Sequence, residues 1–221
     1  MTNLDEIKSR FGKMNPMQQK AVFHTEGPLL ILAGAGSGKT TVLVNRIAYI
    51  MQAGLAQPWQ ILAITFTNKA AGELKERIEA VGGEGAEEVW AATFHSTCAR
   101  ILRRDGDRLG FTSHFTIYDT DDSRRLMKEI LKQLNIDEKF LSHKTVLNEI
   151  SKYKDKMKTP ADVKADVIHD SRLKYVAEAY ELYQQRMLTS DAMDFDDLIC
   201  NTVKLFEKCP DVLEHYQNRF K

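Results

Sequence analysis

The chain has 221 residues, 43 % hydrophobic and 28 % charged, the balance of an ordinary globular protein with enough length for one large domain or two small ones. Its 31 basic residues equal its 31 acidic ones, so any contact with nucleic acid has to come from a local surface and not from a global positive field. The apolar run Leu29 to Ala33 is too short to span a bilayer, and no signal or transit segment precedes it. The cysteines Cys98, Cys200 and Cys209 lack CxxC spacing and the histidines lack HExxH spacing, which points to a reducing cytoplasm and against zinc or another transition metal.

In chain order, Asn15-Pro16 reads as a helix start, and Gln18, three residues on, suits a capping box. "PLLILA" (28–33) predicts a strand that runs into a glycine loop and a helix from about Lys39 to Ala53. "QILAITF" (60–66) predicts a second strand, followed by a helix from about Asn68 to Val81 that Gly82-Gly83 closes. "EVWAATF" (88–94) predicts a third, followed by a helix to about Leu109 with Gly110 past its end. Alternating strands and helices are the pattern of a parallel sheet. After "FTIYD" (115–119) no strand is expected for some seventy residues. Thr120 and Ser142 are candidate helix caps, Pro160 suits a first helical position, and a longer helix runs from about Ser171 to Leu188. Asp194 or Asp191 then caps a helix through Phe206, and Pro210 opens a last one to Arg219. The expected fold is α/β, an incomplete RecA-like P-loop NTPase sheet with an all-helical inserted subdomain. Its parts are 1–111 for the motor domain, 112–190 for the insertion and 191–221 for the return to the motor.

"AGAGSGKT" (33–40) matches the Walker A pattern. Gly34, Gly36 and Gly38 let the backbone turn with its N–H groups inward ahead of a helix N-terminus, a nest for phosphate. Lys39 is placed to reach the β- and γ-phosphates and the Thr40 hydroxyl to ligate Mg2+, so these two are the candidate catalytic residues. Ala33, Ala35, Ser37 and Thr41 complete the nucleotide-binding stretch. A Rossmann reading fails because Lys39 stands where the last glycine of GxGxxG belongs.

"NPMQQKAV" (15–22), the Walker loop, "ITFTNKAAGELKERI" (64–78), "ATFHSTCARILRR" (92–104) and "MDFDDLI" (193–199) stand in the order and approximate spacing of superfamily 1A DNA helicases. From Asn15 onward the chain resembles the amino-terminal part of a UvrD/PcrA/Rep-type enzyme. The resemblance implies ATP and Mg2+ as cofactors, with single-stranded DNA and single/double-strand junctions as substrate. It also implies translocation in the 3′ to 5′ direction and a second motor domain as partner, with no membrane. It gives Gln18 the adenine edge, a role that does not fit easily beside a capping box on one side chain. It assigns the loops carrying Thr65, Phe66, Asn68, Thr93 and His95 to the DNA strand, and packs Phe195 against a base. A lone Phe usually reads as core, but at position 66 the Thr-Phe-Thr-Asn-Lys loop is polar on both sides and better suited to an exposed stacking platform; His95 otherwise reads as a helix-start residue. Lys152 and Lys154, within "SKYKDKMK" (151–158), are expected to meet duplex phosphates through the insertion. Asp196 and Asp197 read as the acidic first turn of a helix and not as a metal site.

No earlier strand ends in the acidic pair that a P-loop enzyme uses beside magnesium, and in the resembled family that strand follows a segment like "HYQNRFK". The chain therefore reads as an amino-terminal portion with little hydrolysis of its own. Two other readings compete: a noncatalytic nucleotide- or DNA-binding module, and a small P-loop kinase with the helical insertion as its lid. The loops "TFTNKAA" and "TFHS" give the kinase no support.

Overall fold

The computed structural model describes residues 7–9, 11–166 and 171–221. The backbone packs as two compact units, Met1–Phe94 with Glu214–Lys221, and His95–Leu213.

In the first unit, helix α1 (Pro16–Phe23) starts where its sequence predicts. The Asn15 side chain accepts from the Gln18 backbone N–H at 2.9 Å, and proline takes a position whose N–H has no helical partner. Helix α2 (Lys39–Gln52) starts on Gly38, whose φ of 82° is left-handed. Strands β1 (Leu62–Thr65) and β2 (Trp90–Thr93) pair in parallel, with Leu62 opposite Trp90 and Thr65 opposite Thr93. Helix α3 (Asn68–Gly82) connects them, and the Thr67 hydroxyl caps it by accepting from the Ala70 N–H at 3.1 Å. Val44, Ile47, Leu74, Ile78 and Ala63 form the core between helices and strands. A second cluster seats Phe11, Val22 and Tyr49, with the Phe23 and Tyr49 rings edge to face at 5.0 Å.

The expected strand at 28–33 does not form. Leu30 is 81 % and Leu32 86 % exposed, and the segment joins neither β1 nor β2. An apolar run becomes a strand only when a neighbour takes up its backbone N–H and C=O groups, and among the described residues this run has no ladder partner.

The second unit is mostly helical. Helix α4 (Phe94–Asp105) enters it and gives way to a 3-10 turn, Gly106–Leu109, instead of running through to Leu109. Gly110, at φ 91°, then turns the chain in the left-handed region. Strand β3 (Thr116–Ile117) precedes helices α5 (Thr120–Gln133), α6 (His143–Asp155), α7 (Pro160–Asp166) and α8 (Ser171–Thr189). Strand β4 (Ala192–Met193) pairs in parallel with β3, so a two-residue ladder closes the base of the helical stretch. It is too short for any alternation to show in the sequence. Helices α9 (Phe195–Lys208) and α10 (Pro210–Arg219) follow.

Met127, Ile130, Leu131, Val146, Ile150, Val163, Tyr180 and Tyr183 recur at helical spacing and bury against one another. The cap of α5 is Asp119 and not Thr120. Its carboxylate takes the N–H groups of Asp121 and Asp122 at 2.8 and 2.9 Å, two charge-assisted bonds that a threonine hydroxyl cannot match. Ser142 caps α6 as expected.

Two glycines test this backbone with opposite signs. Gly72 lies inside α3 with open space where a Cβ would project, so Gly72→Ala should raise stability by about 1 kcal/mol. Gly110→Ala should lower it by about 1 kcal/mol, because alanine is strained at that φ. Chemical denaturation of the two variants checks both signs.

Candidate functional site

In the first unit the phosphate loop is built by backbone geometry. Gly36 and Gly38 both have positive φ, and α2 starts with no side-chain cap and no acidic residue in its first turn. Its leading N–H groups and the positive end of its dipole are therefore left for an anion. The Ser37 hydroxyl donates to the Gly34 carbonyl at 2.7 Å, which tightens the loop. The Lys39 ammonium donates to the carbonyls of Ala33 and Gly34 at 3.0 and 2.6 Å. It thus lies against the loop it is expected to serve. Ala35, Thr40 and Thr41 are exposed on the same stretch. An ammonium, uncapped N–H groups and a first helical turn without an acidic residue fit a polyphosphate.

Gln18 does more than one task. Its Oε1 accepts from the Asn15 N–H at 3.2 Å to complete the capping box, while its Nε2 donates to the Ser37 carbonyl at 3.2 Å. One amide therefore ties the helix start to the phosphate loop, and both line a cleft of ≈ 450 Å³.

Strands β1 and β2 each end in Thr-Phe. Because Thr65 lies opposite Thr93, the next residues, Phe66 and Phe94, emerge side by side, with ring centroids 6.2 Å apart and planes tilted by 47°. Phe66 is 92 % exposed, which removes the core reading for it. Asn68 is exposed at the first position of α3, and the half-buried Thr65 donates its hydroxyl to the Thr67 carbonyl at 3.1 Å.

In the second unit, Phe195 opens α9 half-exposed, and His95 meets its ring edge-on at 5.4 Å. Asp194 caps the helix, accepting from the Asp197 N–H at 2.8 Å. Lys154 is 3 % exposed, with its ammonium 2.7 Å from Asp194 and 2.8 Å from Asp197. The Tyr183 hydroxyl donates to Asp194 at 3.0 Å and the Gln184 amide to Asp197 at 3.2 Å. Burial alone lowers the Lys154 pKa, but the carboxylates of Asp197 and Asp194 outweigh it and hold the ammonium above the ordinary lysine range. Burial likewise pushes Asp194 upward, and Lys154 outweighs that and keeps it below the usual carboxylate range.

The UvrD/REP helicase N-terminal domain family matches residues 14–221 of this sequence. The chain belongs to that family. The proteins named ATP-dependent DNA helicase PcrA from Staphylococcus aureus and Staphylococcus epidermidis are each 50 % identical to it over 208 residues. The protein of that name from Bacillus subtilis is 49 % identical over 208 residues. Each alignment covers 94 % of this chain and 28 % of the relative, so the chain spans a little over a quarter of their length.

Not every residue expected to face DNA is accessible. Lys154 does not reach phosphates; it is enclosed. Residues two apart on a helix point to opposite sides, so an alternating Lys152, Lys154 series cannot present one basic face. Lys152 is exposed but pairs with Glu149 at 2.7 Å. Thr93 is buried at the end of β2, so its side chain is closed to a strand. Asp197 is likewise buried in an ion pair, which the helix dipole alone does not explain. Phe94 was not among the expected residues. The repeated Thr-Phe at two strand ends is the signal that finds it. Because Phe66 buries almost nothing, Phe66→Ala should change the unfolding free energy by less than about 0.5 kcal/mol in a denaturant titration. A loss of several kcal/mol would return the ring to the core.

Proposed function

We propose that this chain is the amino-terminal ATP- and DNA-binding portion of an ATP-dependent DNA helicase that translocates 3′ to 5′ along single-stranded DNA. The observation that carries the reading is the exposure of Phe66 directly after β1, in the unit that also carries the Walker loop. That bare aromatic gives the kinase reading no support. Residues 1–111 and 191–221 are assigned to a RecA-like motor and 112–190 to its inserted subdomain, with a second motor domain as partner and the cytoplasm as location.

Residues 33–41 cradle the ATP phosphates, with Thr40 as the side chain for Mg2+, which when bound offsets charge on the β- and γ-phosphates. Lys39 leaves its loop carbonyls for the phosphates, and Gln18 turns its amide from the Ser37 carbonyl toward adenine. Thr65, Phe66, Asn68, His95 and Phe195 receive the strand, with Phe94 beside Phe66. The junction between single and double strand is the proposed site of action. Stacking a base on an aromatic is worth about 1–3 kcal/mol, and opening one base-pair step costs roughly 1.4 kcal/mol. Rings of this kind hold a base firmly enough to advance it and weakly enough to release it.

In the full-length protein, Lys39→Ala should lower DNA-stimulated ATP hydrolysis about 10²–10³-fold, the scale for losing one preorganised donor of charge stabilisation. Unwinding at the normal rate by that variant would end the motor reading. Phe66→Ala should weaken the response of the ATPase to oligonucleotide about tenfold. An unaltered DNA titration would take Phe66 out of the strand path.

A further inference from the structure

We infer that Lys154 is a positioning residue for Phe195: by clamping the aspartates before and after the ring's attachment point, it fixes the direction in which Phe195 meets a DNA base. The inference rests on the reading of Phe195 as a base-packing residue.

Asp194 and Asp197 form a reciprocal cap, with the Asp194 N–H donating to Asp197 Oδ2 at 3.3 Å and the Asp197 N–H to Asp194 Oδ1 at 2.8 Å. The remaining oxygens, Asp194 Oδ2 and Asp197 Oδ1, both face the Lys154 ammonium. The first turn of α9 cannot rotate without breaking one of these contacts, and Phe195 is the first residue of that turn.

A cap by itself needs no lysine. The same reciprocal arrangement starts α1 with Asn15 and Gln18 and α5 with Asp119 and Asp122, on exposed or half-buried residues and with no buried ammonium. Enclosing three charges is poorly repaid in stability, and what it supplies is a fixed geometry. The lysine comes from α6, 40 residues before Asp194, so the helical unit and not the local sequence sets the ring. Phe195 also forms one wall of a cleft of ≈ 220 Å³ with Tyr118 and Leu147, where a small rotation of the first turn changes the open face.

The test uses the full-length helicase and oligothymidylate, reading the half-saturating oligonucleotide concentration and the saturated ATPase rate separately. Phe195→Ala should raise the half-saturating concentration about tenfold. Lys154→Met, of similar length without charge, should raise it to a similar extent while the saturated rate stays within about twofold. Combined with Phe195→Ala it should add nothing further, because both changes remove one interaction. Half-saturation at the wild-type value in a folded Lys154→Met protein, or effects that multiply in the double variant, would overturn the inference. Should Lys154→Met fail to fold, Tyr183→Phe decides: it removes one hydrogen bond to Asp194 and keeps every charge. A rise of about threefold that vanishes in the Phe195→Ala background supports the inference, and wild-type half-saturation overturns it. If Phe195→Ala alone leaves the oligonucleotide titration unmoved, the base-packing reading itself has failed and takes the inference with it.

Discussion

An ammonium enclosed between two carboxylates holds the start of helix α9 to helix α6, and the aromatic offered by the helical unit depends on that contact. Each buried ion forgoes hydration worth several kcal/mol even after relaxation. Two oppositely charged contacts near 3 Å, together with hydrogen bonds from Tyr183, Gln184 and the backbone of α9, offset part of that cost and give every carboxylate oxygen a partner. The arrangement is rigid because it is enclosed. A surface pair such as Lys152 with Glu149 lets its side chains exchange with water and fixes nothing.

The opposite choice is made at helix α2. Helices α1, α3, α5, α6 and α9 each start under a side-chain cap. Helix α2 starts on a glycine with no cap, after a loop whose own carbonyls hold the lysine. Unlike those five, this start leaves its first N–H groups without a side-chain acceptor. The Gln18 amide joins the capped start of α1 to that open loop, with one hydrogen bond on each side.

Much of this was legible from residue order. The Walker loop needs only its glycines, lysine and threonine in sequence, because backbone conformation makes the nest. Helix starts at Asn15, Ser142 and Asp194 follow from local hydrogen bonding, and local chemistry is what a sequence states most plainly. Asp119 displaced Thr120 at one boundary because a carboxylate accepts two N–H groups where a hydroxyl accepts one less strongly. The fate of residues 28–33 was not legible, since a strand is defined by its neighbours. Nor was that of Lys154, whose partners lie 40 residues away, although its two-residue spacing from Lys152 already excluded a shared face. Phe94 was readable in the second Thr-Phe, and only the register of Thr65 against Thr93 shows that the rings adjoin.

In the proposed function, exposed aromatics at a strand end and a helix start hold DNA bases. Photo-crosslinking the full-length helicase to an oligonucleotide carrying 5-iodouracil, followed by peptide mapping, tests it directly. Adducts are expected at Phe66 and Phe195. Adducts confined to the charged outer face of α5, around Arg124 and Lys128, with both rings unmodified, would contradict it.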